Sequence, residues 1–385
     1  MEIFHYFEPC NFTSAAIPGI DIQESLKEQV SFFNGKKEWF KDFEYDLILM
    51  GVPESRNGAD NLSSKNSPDE IRSWLYSLRG FESEVSIADL GNIRGNTLND
   101  RYHALEEAVD FLRSKGSVVL ILGGTQDLSW SVYKALSKES ECSIAIADAL
   151  IDADAKGEDF TSRSWISFLL QQAEIIPEDL TVFGVQNYLV SPSQEQIITS
   201  KFFDIVRLAE IRGDGIEKCE AILRDSDFFS MDFRVIRDQP QFHDKKMSPH
   251  GCEPYEACRI MRYAGYSDRL KVVGLFEMPA DTEGANSILG AELIWHFIDG
   301  YCGRVYDFPA CSVDAYKCYV VQFDEFEEGI KFYRNLNNNR WWMEVNQKIV
   351  SCYYDDYRRA LKKEFPEKWW RLYLKSTEGQ SDMML

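Results

Sequence analysis

Ser117–Leu122 reads SVVLIL and runs without a break into Gly123-Gly124-Thr125-Gln126-Asp127-Leu128-Ser129. A near-continuous apolar, β-branched run with no polar alternation describes a strand buried on both faces, as in a parallel sheet. The glycine pair closes it in a tight turn. Seven further stretches share the pattern: Tyr45–Met50 (YDLILM), Val85–Leu90 (VSIADL), Cys142–Ala147 (CSIAIA), Leu180–Val185 (LTVFGV), Phe203–Leu208 (FDIVRL), Asp227–Asp232 (DFFSMD) and Leu270–Phe276 (LKVVGLF). Amphipathic segments such as Arg101–Ser114 and Glu253–Ala264 lie between them and are long enough for crossover helices. About eight such units fit residues 40–320. The pattern predicts an α/β fold: a three-layer α/β/α domain on a mainly parallel sheet of about eight strands, with residues 1–320 as the domain and 321–385 as an extension packed on it.

Composition narrows the function. With 63 acidic against 42 basic residues the net charge is −21, a surface that repels phosphate backbones, so nucleic-acid binding is not expected. No apolar run approaches the ~18 residues of a membrane span, and the start MEIFHYFEPC lacks the regions of a secretory signal. Nine cysteines, an odd number without a CxxC pair, read as thiols of a reducing cytoplasm. The five histidines (His5, His103, His243, His250, His296) include no pair with metal-ligand spacing. Cys252 and Cys258 with nearby His250 are a conceivable nucleophile pair, weighed against cysteine's usual place in a core.

In such folds ligands gather at the carboxyl ends of the strands. Those ends carry Gly51-Val52-Pro53, Asp89-Leu90-Gly91, Gly123 to Gln126, Asp148, Ser230-x-Asp232 and Glu277-Met278-Pro279. Any one of them is explained by a helix cap or a βα turn. Their order, however, resembles the ureohydrolase superfamily, which includes arginase, agmatinase and formimidoylglutamase, over about residues 45–300. Gly51-Val52-Pro53 and Asn66-Ser67-Pro68-Asp69-Glu70-Ile71-Arg72 resemble its GVP and GP-x-x-IR segments. Ile87-Ala88-Asp89-Leu90-Gly91-Asn92 resembles its D-x-G strand. Gly123 to Ser129 stands at GGDHS, Asp148-Ala149-Leu150-Ile151-Asp152 at DAHxD, and Ser230-Met231-Asp232-Phe233-Arg234 at SxDxD. Glu277-Met278-Pro279-Ala280-Asp281 stands at its E-x-x-P-like strand end.

The resemblance implies two Mn²⁺ ions bridged by hydroxide, held by two imidazoles and four carboxylates, which suit manganese. It also implies attack on a guanidine or imine carbon, with the carboxylate at Glu277 binding the cationic amidine. This chain departs from that set. Gln126 replaces the GGDHS histidine and Thr125 its aspartate; Leu150 replaces the DAHxD histidine; Arg234 replaces the second aspartate of SxDxD. Asp148, Asp152 and Asp232 survive. No histidine occurs in Asp154–Ser167, where the family carries its catalytic-loop histidine.

An arginine among three aspartates can pair bidentately and stand in for a metal's charge. Three outcomes stay open for the site: no ion, one Mn²⁺, Mg²⁺ or Ca²⁺ on the three aspartates, or a full pair. The expectation is no cofactor and a ureohydrolase-fold protein that acts as a structural or regulatory partner of another protein, or through self-association. The alternatives are a hydrolase of C–N bonds in linear amidines with one metal or none, and a sensor of a small amidine or amino-acid ligand. The extension holds four of the nine tryptophans, Trp341, Trp342, Trp369 and Trp370, beside Arg340 and Arg371. They are expected to pin it to the parent domain, with a partner-binding surface as the sharper reading. Asn335–Asn339 reads as a turn and Thr377–Leu385 as a frayed tail.

Overall fold

A computed structural model describes residues 3–15, 17–59, 65–138, 140–154, 159–238, 248–279, 284–307, 315–324 and 326–382. Ten strands form the large sheet: β1 (Phe7–Glu8), β2 (Val30–Phe32), β3 (Leu47–Gly51), β4 (Ile87–Ile93), β5 (Val118–Leu122), β6 (Ser143–Ala147), β7 (Asp179–Val185), β8 (Asp204–Arg207), β9 (Phe228–Asp232) and β10 (Val272–Phe276). The order runs β1-β4-β3-β5-β10-β9-β6-β7-β8, with β2 also on β4. All the pairings are parallel except β1 with β4. The sheet thus has ten strands where about eight were expected. The eight expected strands are β3 to β10; β1 and β2 are two and three residues long, too short to show a period.

Helices cover both faces. Residues of α2 (after α1, Ser67–Leu75; α2 is Leu98–Ser114), α3 (Ser129–Ser137), α4 (Trp165–Gln172) and α5 (Pro192–Thr199) share one core with Ile48, Met50, Val119 and Ile121. Residues of α1, α6 (Glu217–Arg224), α7 (Pro254–Tyr266) and α8 (Ala285–Cys302) share the other with Leu47, Leu49, Leu120 and Leu122. Adjacent strand residues therefore feed opposite cores, which is why these strands read as unbroken apolar runs.

The turn after β5 requires its glycines. Gly123 and Gly124 both have positive φ, +75° and +83°. A Cβ on Gly123 would lie 2.1 Å from Ser67 Oγ, and one on Gly124 2.4 Å from Leu128 Cδ1. The D-x-G and IR segments explain each other: buried Arg72 of α1 donates to both oxygens of buried Asp89 on β4, at 2.8 and 3.0 Å, and to Gly91 O at 2.9 Å. Asp89 is thereby a structural anchor.

The C-terminal segment is a second sheet. Its strands β11 (Tyr316–Phe323), β12 (Phe326–Asn335), β13 (Trp341–Val345) and β14 (Lys348–Cys352) pair antiparallel in that order and are followed by α9 (Tyr354–Leu361) and α10 (Glu367–Asp382). The expected boundary between residues 320 and 321 falls inside β11. The expected frayed tail is helical through Asp382. Trp341, Trp342 and Trp369 are buried, and only Trp370, 41% exposed, reaches solvent among the four. Arg340 and Arg371 are held by Asp307 at 2.7 Å and Asp179 at 2.6 Å, so neither is spare beside its tryptophans.

Candidate functional site

The sheet order decides what meets at the carboxyl rim. Strands β5, β10, β9 and β6 are neighbours, so the residues at their ends, Gln126, Glu277, Asp232 and Asp148, stand in a row although they are far apart in sequence. Asp148 and Asp152 follow β6, Asp232 ends β9, and all three are buried. One carboxylate oxygen from each lies within 4.8 Å of the others.

Arg234 enters this cluster from the turn after β9. Its Nε sits 2.9 and 2.8 Å from the two oxygens of Asp232, its Nη2 also bonds Asp232, and Nη2 lies 3.4 Å from Asp152 Oδ2. The backbone N–H of Arg234 donates to the same Asp232 at 2.7 Å. The guanidinium is 8% exposed, so it points into the site. Arg163 brings a second guanidinium, 3.4 Å from Asp152 Oδ1. Sequence reasoning missed it, although it is the one arginine in a rim loop without histidine.

Gln126 does not join the aspartates through any described hydrogen bond. Its Nε2 donates to Ser230 Oγ at 3.0 Å, and Ser230 Oγ is 2.9 Å from Ser129 Oγ. Its backbone N–H donates to Glu277 Oε1 at 3.1 Å, and the Glu277 N–H donates to Gly124 O at 2.9 Å. Glu277 is buried at φ +56°, a left-handed conformation that costs a residue with a Cβ. Leu150, half-buried, contributes only its backbone N–H, 3.0 Å from Asp148 Oδ1. Ala280 and Asp281 lie outside the described residues, as does His243.

The electrostatics follow from burial. Burial first, then Asp232 and Asp152, push the Asp148 carboxyl well above its usual range. Burial also raises Asp152 against the pull of Arg234 and Arg163. Glu277 is pushed up to about 8, chiefly by burial. Burial opposes the charge on Arg234, but Asp232 and Asp152 outweigh it and hold its proton more firmly than usual. Two guanidiniums thus face four buried carboxyl groups. The guanidiniums of Arg234 and Arg163 supply positive charge to this acidic cluster from the chain itself.

This geometry decides the fit of a metal pair. Two divalent ions would bring +4 to carboxylates that already face two guanidiniums, and neither imidazole is present. The residues do not fit a dinuclear manganese centre. A single cation finds one favourable feature: Asp148 Oδ2 is buried with no hydrogen-bond donor among the described residues.

The Arginase family sequence profile matches residues 45–299. The chain belongs to the arginase family. A curated member, the agmatinase of Bacillus subtilis strain 168, is 28% identical over 170 residues, 40% of this chain and 56% of that enzyme. The alignment thus spans little more than half of that relative's length. The formiminoglutamase of Trypanosoma cruzi, in a crystal structure with Mn²⁺, superposes with a TM-score of 0.62 at 18% identity, covering 68% of this chain and 95% of that one. The formimidoylglutamase of Bacillus subtilis gives 0.63 at 20% identity, covering 76% and 96%. At these identities the structures share the arginase-family fold. The β11–β14 sheet lies beyond the residues that the family profile matches.

Cys252 and His250 lie beside the rim loops: the Cys252 N–H donates to Val235 O at 2.8 Å, next to Arg234, and Gln186 Nε2, just after β7, donates to His250 O at 2.8 Å. Cys252 is buried, and burial pushes its thiol up to about 12, as it does that of Cys258; neither is poised as a nucleophile. His250 Nδ1 lies 2.9 Å from Tyr188 Oη. Among the described residues no helix is long and apolar enough to cross a membrane.

Proposed function

We propose that this arginase-family chain does not run dinuclear manganese chemistry and serves instead as a non-catalytic structural or regulatory partner of another protein in a reducing cytoplasm. The observation that carries it is the guanidinium of Arg234 forked onto Asp232 beside Asp152, where the family's pattern calls for a metal-ligand carboxylate. A guanidinium so placed supplies the positive charge that would otherwise hold these acids together. The three aspartates are then its counterions. Trp370 on α10 is the exposed one of the four tryptophans and the first place to look for the partner's contact.

A second reading is a C–N hydrolase of linear amidines with one metal. It draws on the convergence of three buried carboxylates within 4.8 Å and on the undonated Asp148 Oδ2. In that reading the cation would sit on Asp148 and Asp152, and Glu277 would meet the amidine. Elemental analysis of protein purified with Mn²⁺, beside assays for urea and formamide release, separates the two. The proposal expects well under one ion per chain and no release of either product. One or more bound Mn²⁺ with turnover of agmatine or formimidoylglutamate would overturn it.

A further inference from the structure

The C-terminal sheet has a hydrophobic core of its own. Val321, Phe323, Ile330, Phe332, Trp341, Met343, Val345, Cys352, Ala360 and Trp369 form one cluster, separate from both cores of the large domain. Of the four tryptophans expected to pin the extension onto the parent, Trp341 and Trp369 close the extension on itself and Trp342 packs against Arg224 of the parent. Much of what meets the parent is charge.

On α10, Lys368, Arg371 and Lys375 follow one helix face at spacings of three and four. Lys368 Nζ lies 2.6 Å from Asp225; Arg371 spans both oxygens of Asp179 at 2.6 and 3.0 Å and reaches Phe202 O at 2.6 Å; Lys375 Nζ reaches Glu178 O at 2.5 Å. From the small sheet, Lys348 pairs with Glu178 at 3.0 Å and Arg340 with Glu220 at 3.1 Å. Glu178 and Asp179 stand at the start of β7, Asp204 at the start of β8, and Asp225 just before β9. The contact is thus on the amino ends of the strands, opposite the rim that carries Arg234. Asp204 joins Asp179, Asp225, Lys368 and Arg371 around a polar cavity of about 30 Å³, room for one water. Contacts of other kinds join them: Arg224 lies over the Trp342 ring at 4.5 Å and donates to Trp341 O at 3.0 Å, the Ser351 N–H donates to Asp225 at 2.9 Å, and Ser351 Oγ donates to Ala221 O.

We propose that the C-terminal unit is a releasable clamp. It is a module folded around its own core and docked by its basic face on the acidic amino ends of β7 to β9. Its release would uncover Glu178, Asp179, Asp204 and Asp225 as a surface suited to a basic helix. The chemistry argues for release without unfolding. An interface rich in ion pairs and hydrogen bonds resembles a transient domain contact, whereas a broad apolar seam would fuse the two units. A chain of net charge −21 also repels itself once the local pairs are broken.

Charge reversal in the full chain tests this. Lys368→Glu with Arg371→Glu is expected to raise the radius of gyration above the compact value of about 21 Å for a chain of this length. Amide exchange at residues 178–182 and 204–206 should speed up, while the β12–β13 amides stay protected. Adding Asp179→Arg to Arg371→Glu should restore the compact value by re-forming one pair in reverse. Unchanged scattering and exchange in the double reversal would overturn the proposal, because the pairs would then not hold the unit. So would loss of β12–β13 protection, because the unit would then depend on the parent for its fold. Wild type offers the same reading without substitution. Exchange at residues 178–182 should be faster in 1 M than in 0.1 M NaCl, since screening reaches within about 3 Å at the higher salt; equal rates count against the clamp.

Discussion

Replacing Arg234 by alanine should both destabilise the protein and raise its affinity for divalent cations above that of the wild type. Asp232 and Asp152 are 0% and 1% exposed, and the guanidinium makes two Nε contacts with Asp232 at 2.8 and 2.9 Å. Removing one partner of such a buried pair leaves charge uncompensated, at a cost of about 3–5 kcal/mol. With 2–4 °C lost per kcal/mol, the lower end suiting a chain of this size, the melting temperature should fall by roughly 6–10 °C. The loss should be larger at pH 8 than at pH 5, because without arginine the acids are relieved only by taking up protons. The alanine also leaves room among three carboxylates whose oxygens lie within 4.8 Å of one another. Mn²⁺ or Mg²⁺ at a hundred times its dissociation constant would then return about 2.7 kcal/mol. The assay is a melting curve of EDTA-treated wild type and variant, with and without each ion. A wild type stabilised as much as the variant would refute the reasoning, as would a variant indifferent to metal.

Other expectations follow from the same structure. Arg72→Met should cost about 3–5 kcal/mol by stranding Asp89 without its buried partner; a denaturation midpoint shifted by less than a quarter of that would place the anchor elsewhere. Burial pushes the Asp356 carboxyl up to about 6, so its neutral form is favoured in the fold. Stability should therefore decline as pH rises from about 4 to 6 and stay lower above, by about 2–3 kcal/mol at most. Asp356→Asn, which keeps a side chain able to cap α9, should flatten that decline in chemical denaturation series between pH 4 and 8. Alkylation at pH 8, followed by mass spectrometry, should label the exposed Cys318 well before Cys142 or Cys252, which are buried and pushed up to about 12. Equal rates at Cys252 and Cys318 would contradict that burial.

The large domain is legible because a doubly buried strand leaves an unmistakable apolar run, and β3 to β10 all carry one except the half-buried edge strand β8. Their ends shifted by a residue or two where polar residues such as Asp46 and Ser117 precede the ladder. The small sheet was not legible. Phe326–Asn335 reads FEEGIKFYRN, and its charges hide a strand that pairs on both sides. The tryptophans were noticed, but their density does not say which partner they face. Only the fold shows that Trp341 and Trp369 turn into the small core while Arg340 and Arg371 reach the parent's Asp307 and Asp179. At the rim, motif order located Asp148, Asp152, Asp232, Arg234 and Glu277, while Arg163 was hidden because its approach to Asp152 depends on the path of a loop. Gln126 stood at the expected strand end, yet its amide turned to Ser230, a choice that spacing does not encode.

The survival of three aspartates argues for a metal only if nothing else needs them. Arg234 changes that inference, because a buried guanidinium requires carboxylates as much as a cation would. Retained acids and the arginine are then one coupled unit, and coupling is measurable. Asp232→Asn alone should strand Arg234, and Arg234→Met alone should strand Asp232, each at about 3–5 kcal/mol. The pair together removes both charges and leaves groups of similar size, so it should cost less than the sum by about 2–3 kcal/mol. A metal site would behave differently: Asp232→Asn would cost binding, Arg234→Met would improve it, and the double variant would show no such recovery in the presence of EDTA. Unfolding free energies for the four chains, measured in EDTA, complete the cycle. Additivity within about 0.5 kcal/mol would mean that the two side chains are not partners, and the reading of Arg234 as the built-in cation would fall with it.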